Sequence, residues 1–219
     1  MVSAYTSDFA QELEQEAQSL RERSNRLLLL LSDTPFSCPE ARRVAFEGLA
    51  RRIGMIAEAI PEVFRIIPPD QHRKPDEQKR LLTTSLLDSI FVNAFGSIDN
   101  LSHILASEFS VRRPNGSQLS KKEVSLFHRD RILLNSLSDK TIDLVGSRRN
   151  WFNYLKTFRD SLAHQIPYYI PPELVEPNCE AEYMALTKER QNPLTSPERI
   201  SEIETELESF IHFKPLLVI

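Results

Sequence analysis

Apolar residues recur at helical spacing along most of the chain, and prolines fall between the periodic segments. Pro61 lies inside the second segment and is expected to kink or split it. Only five glycines occur, which suits helices better than a loop-rich β fold. The pattern predicts an all-α, single-domain helical bundle. Predicted helices cover about Ser3–Ser32, Pro39–Phe64, Asp76–Phe109, Lys121–Asn135, Asp139–Ile166, Glu180–Arg190 and Pro197–Phe210.

The third predicted helix is apolar nearly all round between Leu86 and Leu105, which is typical of a helix in the middle of a bundle. One narrow polar line interrupts this surface. Residues along a single helix line stack on one another, so the line indicates close helix approach, a buried polar network, or both. The line consists of Ser85, Ser89, Asn93, Gly96, Asn100, His103 and Ser107.

The helix predicted before Pro167 carries a core stripe and a polar stripe. The core stripe is Trp151, Leu155, Phe158, Leu162 and Ile166, and the polar stripe is Arg149, Asn153, Lys156, Asp160 and His164. Arg159 falls within about 50° of the centre of the core stripe. A guanidinium there needs partners, and the preceding polar helix offers Asn93 and Asn100, with Asp99 on its flank. His164 lies in the last turn, where the helix dipole favours its cationic form and suits it to acid–base chemistry near neutral pH.

Composition and charge narrow the classes of function. The formal net charge is −4, which argues against wholesale electrostatic binding of nucleic acid or of an anionic membrane. The longest aliphatic run, Leu27–Leu31, is too short to cross a bilayer. Cys38 and Cys179 form no metal-binding or disulfide pattern, and no phosphate loop or zinc cluster occurs, so we expect a cytoplasmic protein without a cofactor or metal. The apolar end, 213–219, predicts a packed final segment or a natural chain that continues beyond Ile219.

Three other clusters favour a structural interpretation. Arg42-Arg43 and Arg51-Arg52 share much of one helix face with interleaved glutamates, which predicts a solvated face, with an RNA contact as the alternative. The segment His128–Arg131 is expected to be a charged helix surface. Tyr168 and Tyr169 are expected to cover the core, although they could stack on bases.

The run Arg159-Asp160-Ser161-Leu162-Ala163-His164 resembles the motif of the HEPN superfamily (higher eukaryotes and prokaryotes nucleotide-binding domains). That motif is an Arg, four to six residues, then a His, late in a helix of an all-α bundle. The polar segment Asn93–His103 looks like the helix that faces the motif in relatives. The resemblance covers about 76–166, with additional N-terminal helices in 1–67 and a C-terminal extension in 167–219.

In that superfamily the motif commonly forms a metal-independent endoribonuclease site, composite across a homodimer. The resemblance therefore implies catalytic roles for Arg159, Asp160 and His164, with Asn93, Asp99, Asn100 and His103 as auxiliary polar residues. It also implies RNA as a ligand and a bacterial defence or toxin–antitoxin setting, with an antitoxin or another protein as partner. The alternative is a non-enzymatic helical interaction or scaffold module, in which Arg159 and His164 are structural.

Overall fold

The computed structural model of the chain describes residues 6–71, 74–164, 169–171, 174–175 and 177–213, with His164 and His212 described by their backbone alone. The described chain is predominantly helical, as the sequence predicts. The α-helices are α1 (Ser7–Asp33), α2 (Pro39–Arg43), α3 (Arg51–Ile66), α4 (Glu77–Glu108), α5 (Asp139–Ser147), α6 (Arg149–His164), α7 (Glu180–Arg190) and α8 (Pro197–Phe210). A π-helical segment, Val44–Ala50, joins α2 to α3, and a 3-10 turn spans Leu134–Ser136.

The four main helices form a row in which each packs mainly on the next: α1 on α3, α3 on α4, and α4 on α6. Neighbours in the row are antiparallel. Between α4 and α6, for example, Phe91 stacks on Phe158 while Phe95, one turn later, stacks on Phe152, earlier in α6. The buried side chains of α1 are small and recur every seventh residue, at Ala10, Ala17 and Ser24.

Helix α4 lies in the middle of this row, but one of its faces is exposed. Helix α4 has α3 on one side and α6 on the other, and the stripe between these two contacts faces outward. We call this stripe, made of Leu81, Ser85, Val92, Asp99 and His103, the front face of α4. Its residues fall within about 40° of one another at 100° per residue, and Leu81 and Val92 are 64% and 48% exposed.

By length and composition α4 is also long and apolar enough to cross a membrane, a test that core helices of soluble proteins pass as well. Its buried side chains include the polar residues Thr83, Asn93, Ser97 and Ser102. Asn93, Ser97 and Ser102 find hydrogen-bond partners in α4 itself, whereas the Thr83 hydroxyl has none within the described residues. The Ser97 hydroxyl, for instance, donates to the Asn93 carbonyl over 2.8 Å.

The helical region that begins at Pro39 is irregular, but not at Pro61, where the sequence predicts a kink or a split. The distortion lies in the π-helical segment Val44–Ala50, whereas α3 continues through Pro61 to Ile66. Pro61 therefore does not split the helix. Beyond α3, Asp76 caps α4 by accepting a hydrogen bond from the backbone of Lys79 over 2.7 Å, close to the predicted start of that helix.

Two predicted helices are wrong in extent. The segment 121–135 consists of turns and the 3-10 turn, and Arg131 in it has a φ of 54°. Its apolar residues Leu126, Leu133 and Leu134 are buried, so the helical spacing reflects burial without a helix. The helix predicted over Asp139–Ile166 is broken at Arg148, where φ is −97° and ψ is 2°. Because His128–Arg131 lies in the segment 121–135, it is a charged turn and not the predicted helix surface.

The C-terminal part forms a helical hairpin, α7 and α8, flanked by the two strands of a small sheet. Strand β1 (Leu174–Val175) pairs antiparallel with β2 (Ile211–His212). Helix α8 begins at Pro197, as predicted, and Ser196 caps it by accepting a hydrogen bond from the backbone of Arg199. Ile170 and Phe213 are buried against Ile66 and Ile67 at the end of α3. The predicted packed end 214–219 and Tyr168 lie outside the described residues, and Tyr169 is 51% exposed.

Candidate functional site

Aromatic stacking fixes the position of α6 on α4. The Phe91 and Phe158 rings are 4.5 Å apart and nearly parallel, and the Phe95 and Phe152 rings are 5.5 Å apart. Trp151, predicted to be part of the core stripe, is instead 53% exposed, because the buried stripe runs through Phe152, Leu155 and Phe158. The buried face of α6 is therefore turned toward the side that carries Arg159.

Arg159 lies over an aromatic ring of α4. Its guanidinium carbon is 4.2 Å from the centroid of the Phe95 ring, a cation–π geometry, and its side chain is 31% exposed. Nη1 contacts Asp160 Oδ1 at 3.1 Å. The buried Nε has no hydrogen-bond partner within the described part of the chain. Arg159 is thus held on one face by a ring and at one edge by a carboxylate, with donors left over.

Asp160 links two cations of the same helix. Its Oδ1 faces Arg159, and its Oδ2 accepts a hydrogen bond from Lys156 Nζ one turn earlier. Asp160 is also largely buried, with a side-chain exposure of 28%. This carboxylate therefore contacts Arg159 and Lys156 at the same time.

His164 is the last residue of α6, and its side chain lies outside the described residues. The backbone nevertheless relates it to Arg159. Five positions along an α-helix correspond to a rise of about 7.5 Å and a rotation of about 140°. The backbone positions of the two residues therefore lie on different sides of α6.

The asparagines predicted to pair with Arg159 lie on the opposite side of α4, facing α3. Asn93 Oδ1 accepts a hydrogen bond from Arg52 Nη1 over 3.2 Å, and Asn93 Nδ2 donates to the Ser89 carbonyl over 2.8 Å. Asn100 packs against Gly48 of the π-helical segment. The predicted pairing is wrong because both asparagines are turned by about 140–160° from Phe95 on the α4 helix.

Arg52 is the residue that sequence reasoning missed. It was interpreted as part of a solvated face, but its guanidinium lies directly against the backbone of Gly96. A Cβ built on Gly96 would be 2.6 Å from both Cζ and Nη1 of Arg52. The available signal was the matched spacing: Gly48 and Arg52 are four apart on one helix, and Gly96 and Asn100 are four apart on the other.

Asp99 lies on the front face among three cationic side chains. Burial raises the pKa of the Asp99 carboxyl, and the charges of Arg159, His103 and Arg52 act in the opposite direction. The effect of burial is the largest of these. Asp99 therefore carries a carboxyl whose charge is costly even though cations from α3, α4 and α6 surround it.

His103 continues the front face one turn beyond Asp99 and is exposed. It lines an open cleft of about 280 Å³ together with Ser107, Ser110, Arg112 and Gln118. It therefore belongs to a neighbouring surface, and its link to Asp99 is electrostatic.

The arrangement suits binding of an anion such as a phosphate group. Two guanidiniums with spare N–H donors lie on either side of one helix, at the same level, and neither is fully neutralised. No group of three or more His, Cys, Asp or Glu residues within the described ranges could hold a metal ion. Comparison with protein-family models, with curated proteins and with solved structures gave no significant match.

Proposed function

We propose that this protein is an HEPN-like, metal-independent endoribonuclease whose site is built on Arg159, Asp160 and His164. The observation that carries the proposal is the fixed, partly exposed guanidinium of Arg159. Phe95 supports its face and Asp160 holds one edge, while its side chain stays 31% exposed. A donor group fixed before the ligand arrives stabilises developing negative charge without reorganisation.

In the proposed reaction, the imidazole of His164 removes the proton of a ribose 2′-hydroxyl. The resulting 2′-oxygen attacks the adjacent phosphorus, and the bond from phosphorus to the 5′-oxygen breaks. The products are a 2′,3′-cyclic phosphate and a 5′-hydroxyl, to which a proton is returned. Arg159 donates hydrogen bonds to the non-bridging oxygens as their charge increases, and Asp160 keeps Arg159 in place.

A second copy of the chain completes this site in the proposal. The backbone positions of Arg159 and His164 lie on sides of α6 about 140° apart, so one helix does not readily present both to one phosphate. A twofold axis beside α6 would bring Arg159 of one protomer toward His164 of its partner. The proposed setting is a cytoplasmic bacterial defence or toxin–antitoxin system, in which a protein partner restrains the nuclease.

The test is cleavage of single-stranded RNA in the presence of EDTA. The wild-type protein should leave cyclic-phosphate ends, and His164→Ala should abolish cleavage while its circular dichroism spectrum and melting temperature stay near wild type. His128→Ala, outside the proposed site, is the matched control and should cleave normally. Failure of the wild-type protein to cleave, or undiminished cleavage by His164→Ala, would overturn the proposal.

A non-enzymatic interaction module is the second candidate, and the outward front face of α4 favours it. Leu81 and Val92 expose apolar surface there, and Leu82 beside them is 49% exposed. In that case Arg159 joins α6 to α4 and does no chemistry. Absence of cleavage together with global unfolding of Arg159→Ala would support this function instead.

A further inference from the structure

Two guanidiniums lie over adjacent residues in the middle of α4. Arg159 reaches from α6 to the ring of Phe95, and Arg52 reaches from α3 to the backbone of Gly96. Since consecutive Cα atoms are about 3.8 Å apart, the two arginines approach α4 at the same level. Asp99, one turn further on, lies between them on the front face.

The position of the Arg52 guanidinium depends on the absence of a side chain at Gly96. A Cβ at this position would be 2.6 Å from the Arg52 Cζ and Nη1 and 2.8 Å from its Nε. These atoms belong to a rigid planar group at the end of a flexible side chain, so the whole guanidinium would have to shift away from the α4 backbone. Glycine is a poor helix former, and here it allows a cation from α3 to lie close to the helix axis.

Both arginines keep donors for a ligand. A guanidinium has five N–H groups. The structure pairs Arg52 Nη1 with Asn93 and Arg159 Nη1 with Asp160, and Arg159 Nε is buried, so a ligand would bind the remaining Nη donors of the two guanidiniums. Arg52 and Arg159 are each partly exposed, so a ligand on the front face can reach them.

We infer that Arg52 and Arg159 together bind one phosphate group of a nucleic acid backbone, from the two sides of the front face of α4. Arg52 is then the second cation of the proposed RNA site. Planar guanidiniums match the geometry of phosphate oxygens and can each donate two hydrogen bonds. Asp99 lies between the two cations and weakens the attraction for an anion, which keeps the site reversible.

The identity of the ligand as RNA rests on the proposed function, whereas the two-arginine site does not. The probe is therefore a fluorescent single-stranded oligonucleotide with 2′-O-methyl riboses, which binds but cannot be cleaved. Its dissociation constant is measured as a function of NaCl concentration, and inorganic phosphate is tested as a competitor. Loss of one phosphate contact lowers the slope of log K against log salt by about 0.7 for a single strand.

Arg52→Gln should weaken binding about tenfold and lower the salt slope by about 0.7. Arg51→Gln, an exposed neighbour with the same change of charge, should leave the slope at its wild-type value. Gly96→Ala should resemble Arg52→Gln although the net charge is unchanged, because it displaces the guanidinium. Asp99→Asn should tighten binding about two- to fivefold.

Equal effects of Arg52→Gln and Arg51→Gln on the slope would overturn the inference, as would normal binding by Gly96→Ala. Arg52→Lys, which keeps the charge, replaces Arg52→Gln in the test if Arg52→Gln does not fold, and it should retain the slope but lose affinity.

Arg52-dependent oligonucleotide binding without cleavage would contradict the nuclease proposal alone. Cleavage that is independent of Arg52 would remove this inference alone. Direct binding of inorganic phosphate, measured by calorimetry, without oligonucleotide binding would keep the site and exclude RNA as its ligand.

Discussion

The guanidinium of Arg159 and the ring of Phe95 form one unit, with 4.2 Å between Cζ and the ring centroid. The ring is itself held by Phe152, which stacks on Phe127 at 3.9 Å between centroids. The position of Arg159 therefore depends on a chain of aromatic contacts that reaches from α4 through α6 into the segment before α5. Substitutions in this chain should affect the site as well as the stability of the fold.

Phe95→Leu should destabilise the fold by about 1–2 kcal/mol, because it removes ring stacking and the cation–π contact but leaves most of the apolar volume. In the proposed site, it should also lower RNA cleavage more than the loss of folded protein explains. Chemical denaturation and single-turnover cleavage measure the two effects. Phe109→Leu changes an exposed phenylalanine at the end of the same helix and is the control. Full activity in a destabilised Phe95→Leu protein would show that the ring does not position Arg159.

Gly48→Ala and Gly54→Ala should have opposite effects on stability. A Cβ on Gly48 would lie 2.9 Å from Cγ of Asn100, so the Asn100 side chain would have to leave its packed position against the π-helical segment, at a cost of about 1–3 kcal/mol. A Cβ on Gly54 meets nothing within 4 Å, and alanine there should stabilise α3 by about 0.5–1 kcal/mol. Urea denaturation of both variants checks the pair. Equal effects would mean that Asn100 does not pack against Gly48 as closely as described.

Asp99→Asn should alter how stability depends on pH. Burial raises the pKa of Asp99 above its usual 3.8, so the folded protein holds this proton more tightly than the unfolded chain does. The stability of the wild type therefore falls as pH rises through the interval between the two pKa values, and this contribution disappears in the variant. The difference in unfolding free energy should increasingly favour Asp99→Asn between about pH 3 and neutrality. A variant less stable than the wild type at pH 7 would show that the positive charges near Asp99 outweigh burial.

Glu108 should stabilise the start of α2 at neutral pH. Its Oε1 accepts hydrogen bonds from the backbone and hydroxyl of Ser37, at 2.6 and 2.7 Å, and Oε2 accepts from the backbone of Cys38. Cys38 is the N-cap of α2 and makes no side-chain cap of its own. Glu108 thus caps α2 from the far end of α4, in place of a local residue.

These hydrogen bonds from Ser37 and Cys38 lower the pKa of Glu108 below 4.5. Their contribution is complete above the unfolded pKa and is lost as pH falls through the folded one. Glu108→Gln should therefore melt at a lower temperature than the wild type at pH 7, and the two melting curves should converge in acid. Glu12→Gln, on an exposed position of α1, provides the comparison. A difference that persists unchanged in acid would exclude the carboxylate as its cause.

The sequence pattern predicts where the helices of this protein lie along the chain better than it predicts which residues contact one another between helices. Asp76 and Ser196 each cap the helix that follows them, because a capping side chain acts within one turn and is visible in the sequence. The break at Arg148 was not predicted, since apolar spacing continues across it. Segment 121–135 was predicted as a helix from the spacing of its apolar residues. In the structure Leu126 and Leu133 are buried, but turns and not a helix hold them in place.

Only part of the candidate site could be predicted, because local geometry is visible in the sequence and contacts between helices are not. The position of Arg159 toward α4 follows from the geometry of α6 alone. Its partners depend on which side of α4 faces α6, and the polar line through Asn93 and Asn100 faces α3 instead. Arg52 was assigned to solvent because a single helix wheel contains no information about the glycine across from it.

In a row of helices, the helix at each end packs on one neighbour only. The end helices should therefore detach first when the protein unfolds. Helix α1, at one end, buries the small side chains of Ala10, Ala17 and Ser24, which remove little apolar surface from water. Its exposed ion pair with α3, Arg21–Glu58, adds little. Backbone amides of α1 should therefore exchange with deuterium through local detachment, well before those of α4. Arg52 and Asp99 lie on helices that stay assembled after α1 has left, so the site can outlast the first step of unfolding.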